Sequence, residues 1–469
     1  MPDFKIASDH SAGASIKGAP RSTVKLHEAV ALIVGIVIGV GIFKAPSMVA
    51  GMTGDAAWMF GAWALGGVIS VIGALCYAEL STAYSHAGGD YHFLRRAYGR
   101  SVSFLFAWAR FSVISTGSIA LLAFVFGDYM NQILPLNAAN PNWGSAFYAS
   151  AAVVVLSWIN IYGLKTGLTT QSWLTLVEIG GLLLIVAAAL ATIGDGRAAA
   201  SVHTAAVSSP PASFGMAMVF VLLTYGGWNE AAYLSAELRD AHRNMVKALV
   251  SSIFIITLLY LLVTWAYWKG MGLAGMANSE AIAADLLRRA FGPTGEKIVS
   301  ATIAITALTS INATMIVGAR SSYAAGRDWP VLARLGVWNE ARGTPVNALR
   351  IQCAVALLLT MLGALNGSGF KTMVEFTAPV FWLFFLLSGL SLFVLRIREP
   401  AAERPFKVPL FPVLPLVFCA ACAYMLWASL SYVHSQSLGG WNAAWIGVGV
   451  LAVGIVLLLF VRAPGDRPA

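Results

Sequence analysis

Ile33-Val34-Gly35-Ile36-Val37-Ile38-Gly39-Val40-Gly41-Ile42-Phe43 is an apolar run broken by three glycines. A second break, Thr224-Tyr225-Gly226-Gly227-Trp228-Asn229, follows five apolar segments later. A helix in lipid keeps its backbone groups bonded to one another, because hydrocarbon offers no other partner. Glycine lowers the cost of unwinding, but unwound backbone at membrane depth persists only inside protein or beside water. Paired interruptions in corresponding halves of a chain point to a transporter's binding site.

The rest of the chain fits a membrane setting. Of 469 residues, 58% are hydrophobic and 11% charged, against about 25% charged in soluble domains. Asp, Glu, Lys and Arg are missing from 56–78, 129–164, 248–268, 298–319, 351–370, 376–395 and 408–461. A spanning helix needs roughly 20 apolar residues, and the last stretch, interrupted by Gly439-Gly440, is long enough for two. The strand alternation of a membrane barrel is absent. The expected fold is therefore all-α and polytopic. Twelve transmembrane helices are placed near 28–53, 56–84, 101–133, 145–163, 170–194, 213–238, 246–270, 297–325, 348–366, 372–396, 409–433 and 441–462. The segment between spans seven and eight, about 271–296, is expected to form short helices outside the bilayer.

Residues 1–27 form a polar tail without the apolar core of a cleaved signal, and 463–469 a second short tail. Of the 30 Lys and Arg, 22 fall in the tails and alternate connections on one side, six on the other, and Lys44 and Arg110 within spans. Basic connections mark the cytoplasmic side, so both termini are expected inside, in a plasma membrane or a bacterial inner membrane. The net charge of +9 then reflects loops beside anionic lipid rather than nucleic-acid binding.

At the first break, amides freed at Val40 and Gly41 open a half-helix whose N-terminus carries about half a positive charge and attracts carboxylates. Carbonyls freed at Val37, Leu223 and Gly226 offer acceptors to an ammonium. Together they would receive a zwitterion. Glycines also allow close helix packing; the recurrence of the pattern favours a site. Ionisable groups at membrane depth are functional candidates by default. Glu178 lies in a wholly apolar stretch and Glu230 beside the second break; either is a candidate for proton coupling or side-chain recognition, or for a structural pair, Glu230 with Lys44 or Arg110. Glu79, Glu237 and Arg110 are expected in structural pairs or near the inner surface, and Asn312 in a helix–helix bond. Thr302, Thr306, Thr309 and Ser310 hold oxygens suited to sodium, but no carboxylate stands with them and Ser/Thr commonly bond back to their own helix. No metal and no cofactor is assigned. Cys76, Cys353, Cys419 and Cys422 read as small apolar residues within spans.

Four motifs resemble amino acid permeases of the amino acid–polyamine–organocation (APC) superfamily, nearest the L-type amino acid transporter branch. They are Gly39-Val40-Gly41-Ile42-Phe43; Tyr77-Ala78-Glu79-Leu80 with Gly88-Gly89-Asp90-Tyr91; Tyr225-Gly226-Gly227-Trp228-Asn229 with Ala236-Glu237-Leu238; and Arg404-Pro405-Phe406-Lys407-Val408-Pro409. The resemblance implies a LeuT-like 5+5 inverted repeat, 28–194 and 213–396, within a transport core at 28–396, with broken helices 1 and 6 and two peripheral helices at 397–462. It implies alternating-access amino-acid transport, as exchanger or proton-coupled symporter. The family's backbone contacts fall on Val37, Val40 and Gly41 for the carboxylate and on Leu223 and Gly226 for the amino group. Val40 replaces the usual serine, Leu223 an aromatic gate residue, and Glu178 a lysine linked to proton coupling in many relatives. Residues 134–144 hold no cysteine, so no disulfide-linked accessory subunit is expected. A polyamine or cationic-compound carrier is the nearest alternative. A membrane-embedded enzyme is the distant one, since the seven histidines show no metal-binding spacing.

Overall fold

The structure is a computed structural model that describes residues 26–84, 89–136, 141–162, 168–192, 211–229, 241–340, 342–435 and 443–460. No strand occurs among them, only one isolated bridge between Asn339 and Thr344.

The first apolar run does break. Helix α1 covers Leu26–Val37, a 3-10 turn Val40–Phe43 and α2 Ala45–Thr53. Gly39 takes an extended conformation between them, and no side chain caps the turn it precedes. Asp55 then starts α3 (Ala56–Ala83) by accepting from the amides of Ala57 and Trp58 at 2.8 and 3.1 Å, which satisfies two donors that every helix start leaves orphaned. A short α4 (Asp90–Tyr98) leads into α5 (Arg100–Ala109), a π turn at Arg110–Ile114, and α6 (Ser115–Ile133). These last three make one apolar stretch of 34 residues, longer than a perpendicular crossing needs.

Helices α7 (Pro141–Ile161), α8 (Leu168–Thr192) and α9 (Pro211–Thr224) follow, and the chain turns at 225–229 where the second break was expected. Residues 230–240, with Glu230 and Glu237, lie outside the described residues. Helix α10 (Ala241–Ala277) bends at Gly272 and α11 (Ile282–Asp328) at Gly292. Gly292 has φ +69°, a left-handed conformation that side chains resist, and Pro293 follows it. The expected short helices at 271–296 are thus helical pieces joined through these bends to the long spans. Helices α12 (Val346–Leu365), α13 (Gly369–Arg398), α14 (Val413–Ser435) and α15 (Ala443–Phe460) complete the chain.

Eight helices among the described residues are long and apolar enough to cross a membrane, and 179–192, 213–224 and 443–459 are shorter apolar helices. Trp58, Phe147, Trp158, Phe254, Leu358 and Leu459 stand on the exterior, Leu358 at 71% exposure. Water-soluble surfaces rarely gather so much exposed apolar area. The protein is a multi-pass helical membrane protein.

The interior is organised around the first break. α11 packs extensively on α6, and α10 on α3, while α2 sits between α9 and α10 and the 3-10 turn lies on α11. At one end of the bundle Glu79 is buried at 1% exposure. It accepts a fork from Arg396 at 2.7 and 2.5 Å, and the Val408 amide at 2.7 Å. The structural pair expected for Glu79 therefore joins α3 to α13 and to the segment after it. Nearby, Arg96 grips Glu399 through three hydrogen bonds of 2.7–3.1 Å, which hold the Glu399 carboxyl below the usual carboxylate range. Asn160 donates to Asn312 at 2.6 Å, the helix–helix bond expected there.

Candidate functional site

The first break meets the end of α9. A Cβ placed on Gly41 would lie 3.2 Å from both Cγ2 and Oγ1 of Thr224, the last residue of α9. Val37, Ile38, Val40, Ile42 and Tyr225 are buried, yet Gly39, Gly41, Leu223, Gly226 and Gly227 among them remain partly accessible. Accessible backbone within a buried neighbourhood is what a lined cavity requires.

Two of the three carbonyls expected to stand free, those of Val37 and Leu223, hold internal hydrogen bonds in this conformation. The Val37 oxygen accepts from the Gly39 amide at 2.8 Å and from the Tyr260 hydroxyl at 2.9 Å. The Leu223 oxygen accepts from the Gly226 amide at 3.0 Å. The physical reason is the one that makes breaks rare: a backbone group freed inside apolar surroundings finds a local partner or costs several kcal/mol. At the amide end of the first break no side chain caps the turn.

Tyr260 is the residue that sequence reading missed. Its hydroxyl lies 2.9 Å from the Val37 oxygen and 3.1 Å from the Thr224 oxygen, so one buried group on α10 bridges the ends of α1 and α9. Its ring packs against Trp63 and Tyr225 at centroid distances of 5.6 and 5.1 Å. A tyrosine in an apolar helix carries no signal in sequence; only the fold brings it to the breaks. Tyr260→Phe keeps the ring and removes the bridge. It is expected to cost about 1 kcal/mol of stability and to slow transport about fivefold, the equivalent of 1 kcal/mol. Uptake and thermal unfolding in detergent check both, and an unchanged rate would leave Tyr260 a packing residue.

On the other side of the turn, Tyr129 donates to the Phe43 oxygen at 2.6 Å. Lys44 follows immediately and is 4% exposed. Its ammonium reaches Asp128 at 2.6 Å and also donates to the Glu280 backbone oxygen. Asp128, inside the third expected span, was not singled out in the sequence. Its signal was present all the same: a carboxylate inside an expected span, the feature that marked Glu178. Lys44, one of the residues considered for Glu230, thus has its partner on α6 among the described residues.

Glu178 lies on α8, but its side chain is outside the described residues. One turn later, a Cβ on Gly181 would sit 3.5 Å from Thr302 and 3.8 Å from the Phe43 ring, so this stretch of α8 runs beside the first break. Thr302 and Thr309 each bond back to the carbonyl four residues earlier, at 3.0 Å, as helical hydroxyls commonly do, while the Thr306 hydroxyl is buried without a hydrogen-bond partner among the described residues. The cysteines Cys76, Cys353, Cys419 and Cys422 are free.

Comparison with known proteins agrees with this architecture. The family model described as "Amino acid permease" matches residues 25–460. The human b(0,+)-type amino acid transporter 1 is 28% identical over 409 residues, covering 86% of this chain and 81% of that protein. The human Asc-type amino acid transporter 1 is 27% identical over 447 residues, 94% of this chain and 83% of its own length. The rabbit (Oryctolagus cuniculus) large neutral amino acids transporter small subunit 2 is 28% identical over 432 residues, 91% and 79%. With the family model spanning both helix breaks and nearly the full length, the chain belongs to the amino acid permease family.

Proposed function

We propose that this protein is a secondary transporter that carries amino acids across the plasma membrane, or the bacterial inner membrane, by alternating access. The observation that carries the reading is the meeting of the first helix break with the end of α9 at Gly41 and Thr224, in a chain whose relatives are named amino acid transporters. Membership in a permease family makes it a carrier rather than an enzyme.

Pairing each broken helix across its gap and adding the shorter apolar helices gives twelve crossings. They divide as a transport core at 28–396, with inverted repeats at 28–194 and 213–396, and two peripheral helices within 397–462, both termini cytoplasmic. In the core, the amides of Val40 and Gly41 receive the substrate carboxylate, with Val37 shaping that side. Leu223 and Gly226 present carbonyls to the ammonium. The bond that the Leu223 oxygen holds in this conformation fits a state awaiting substrate, because a carbonyl oxygen has a second lone pair. Exchange needs only that the loaded carrier reorient.

The test is counterflow in proteoliposomes. Preloaded unlabelled amino acid should drive uptake of the same labelled amino acid, which neither a channel nor an enzyme produces. Methyl esters and N-acetyl derivatives are expected to compete poorly, since each removes one charge of the zwitterion. Strong competition by diamines would favour the polyamine alternative, with Glu230 as the anionic contact.

Glu178 is the proposed proton carrier, if uptake is coupled. A carboxyl in a wholly apolar stretch is a candidate proton site; a proton taken from outside would neutralise it and its release inside would recharge it. Glu178→Gln is expected to abolish accumulation driven by a pH gradient and to retain exchange. A glutamine variant that accumulates as well as wild type would make Glu178 structural.

A further inference from the structure

The Lys44–Asp128 pair borders a cavity of about 260 Å³. Lys44, Met48, Asp128 and Ser368 line it, and the exposed Asn278 and Glu280 stand at its rim. Under the topology proposed above, this cavity opens to the outside and lies above the first break. The two charges are largely withdrawn from solvent, with side chains 4% and 13% exposed. Such pairs contribute little net stability, because desolvation offsets their attraction, but removal of one partner leaves an uncompensated charge. The pair also belongs to a set of hydrogen bonds that tie α2 down. Lys44 holds the Glu280 oxygen, Ser47 donates to the Ser279 oxygen at 2.6 Å, and the Ser279 hydroxyl donates to Asp285 at 2.5 Å. Lys371, also at the cavity, stands 3.9 Å from Glu375.

We propose that this cavity is an outer docking station for the substrate, where its α-ammonium takes the place of Lys44 at Asp128 and its α-carboxylate takes the place of Asp128 at Lys44. The exchange replaces an ion pair by two ion pairs and leaves no buried charge alone. Only a zwitterion does this. A diamine would pair with Asp128 and strand Lys44 beside a second cation. A simple carboxylate would strand Asp128. Once Lys44 turns to the substrate, its bond to the Glu280 oxygen weakens and α2 is freed to move. The station therefore couples recognition of the zwitterion to release of the latch above the central site. This inference rests on the transport reading.

The test uses proteoliposomes and the labelled amino acid that gives the largest wild-type counterflow. Half-saturation is measured separately from the outer and inner faces. The double variant Lys44→Met with Asp128→Asn removes both charges, so neither is stranded and folding is preserved; detergent monodispersity checks this. Its outer half-saturation concentration is expected to rise about tenfold or more, the loss of charge-assisted contacts exceeding any gain from the loosened latch. A latch that binds no ligand behaves in the opposite sense. Loosening it favours the outward-open state, so the outer value falls and the inner one rises. That result, or no change at either face, overturns the station and leaves the transport reading intact. Absence of counterflow by the wild type for every amino acid overturns both.

Discussion

Gly41→Leu is expected to abolish amino-acid uptake, by about a hundredfold or more in initial rate, while the protein remains folded and monodisperse in detergent. The loss corresponds to about 2.7 kcal/mol or more, within what overpacking a fixed interior costs. Gly41 sits in the 3-10 turn with no left-handed φ, so a side chain meets no backbone objection. The objection is space. Even a Cβ would lie 3.2 Å from Thr224, and the Thr224 hydroxyl is held by the Phe220 oxygen at 2.8 Å. Three further carbons must lie between the first break and the end of α9, where the substrate carboxylate is proposed to bind. Gly41→Ala adds only the first of these and is expected to retain part of the activity. Uptake and size-exclusion profiles on the same preparations separate transport from folding. Normal uptake by the leucine variant would reduce Gly41 to a packing residue.

Glu79→Gln is expected to produce the largest loss of stability, about 3–5 kcal/mol, as for other buried pairs deprived of one charge. The amide cannot receive both nitrogens of the Arg396 fork and the Val408 amide as a carboxylate does. Arg404, whose Nε lies 3.7 Å from the Glu79 carboxylate and whose side chain is 7% exposed, loses its counter-ion as well. Three segments, α3, α13 and the connection into α14, lose a common anchor. Thermal unfolding in detergent should show a clear downward shift, and an unchanged midpoint would mean that Arg396 and Arg404 find other partners.

The long spans and the breaks were legible for the same reason. Lipid forbids both charges and unpaired backbone, so absence of charge marks a span and clustered glycine marks its interruption. The charge-free stretch 351–370 reappears as α12 at 346–365, and Gly39-Val40-Gly41 as an extended residue followed by a tight turn. What was illegible depends on pairing between helices far apart in sequence. Lys44 and Asp128 are 84 residues apart, and Tyr260 lies 223 from Val37. No local pattern specifies which faces of two apolar helices meet. The π turn at Arg110–Ile114 likewise lacks a signature, being one extra residue in an otherwise ordinary helix. Conversely, Glu178 and Glu230 stood out because charge in lipid is rare, which marks a residue without saying what it touches.

The glycines of α3 carry a consequence for how the molecule can move. A Cβ on Gly66 would come within 2.4 Å of Val221 on α9, and one on Gly67 within 2.4 Å of Thr257 on α10. Bare backbone here admits its neighbours as a socket admits a peg, one residue deep, and a shift along the helix would drive the next side chain into the same place. These three helices therefore cannot slide past one another by small steps. Displacement of any one of the three is expected to carry the other two with it, like the boards of a single door.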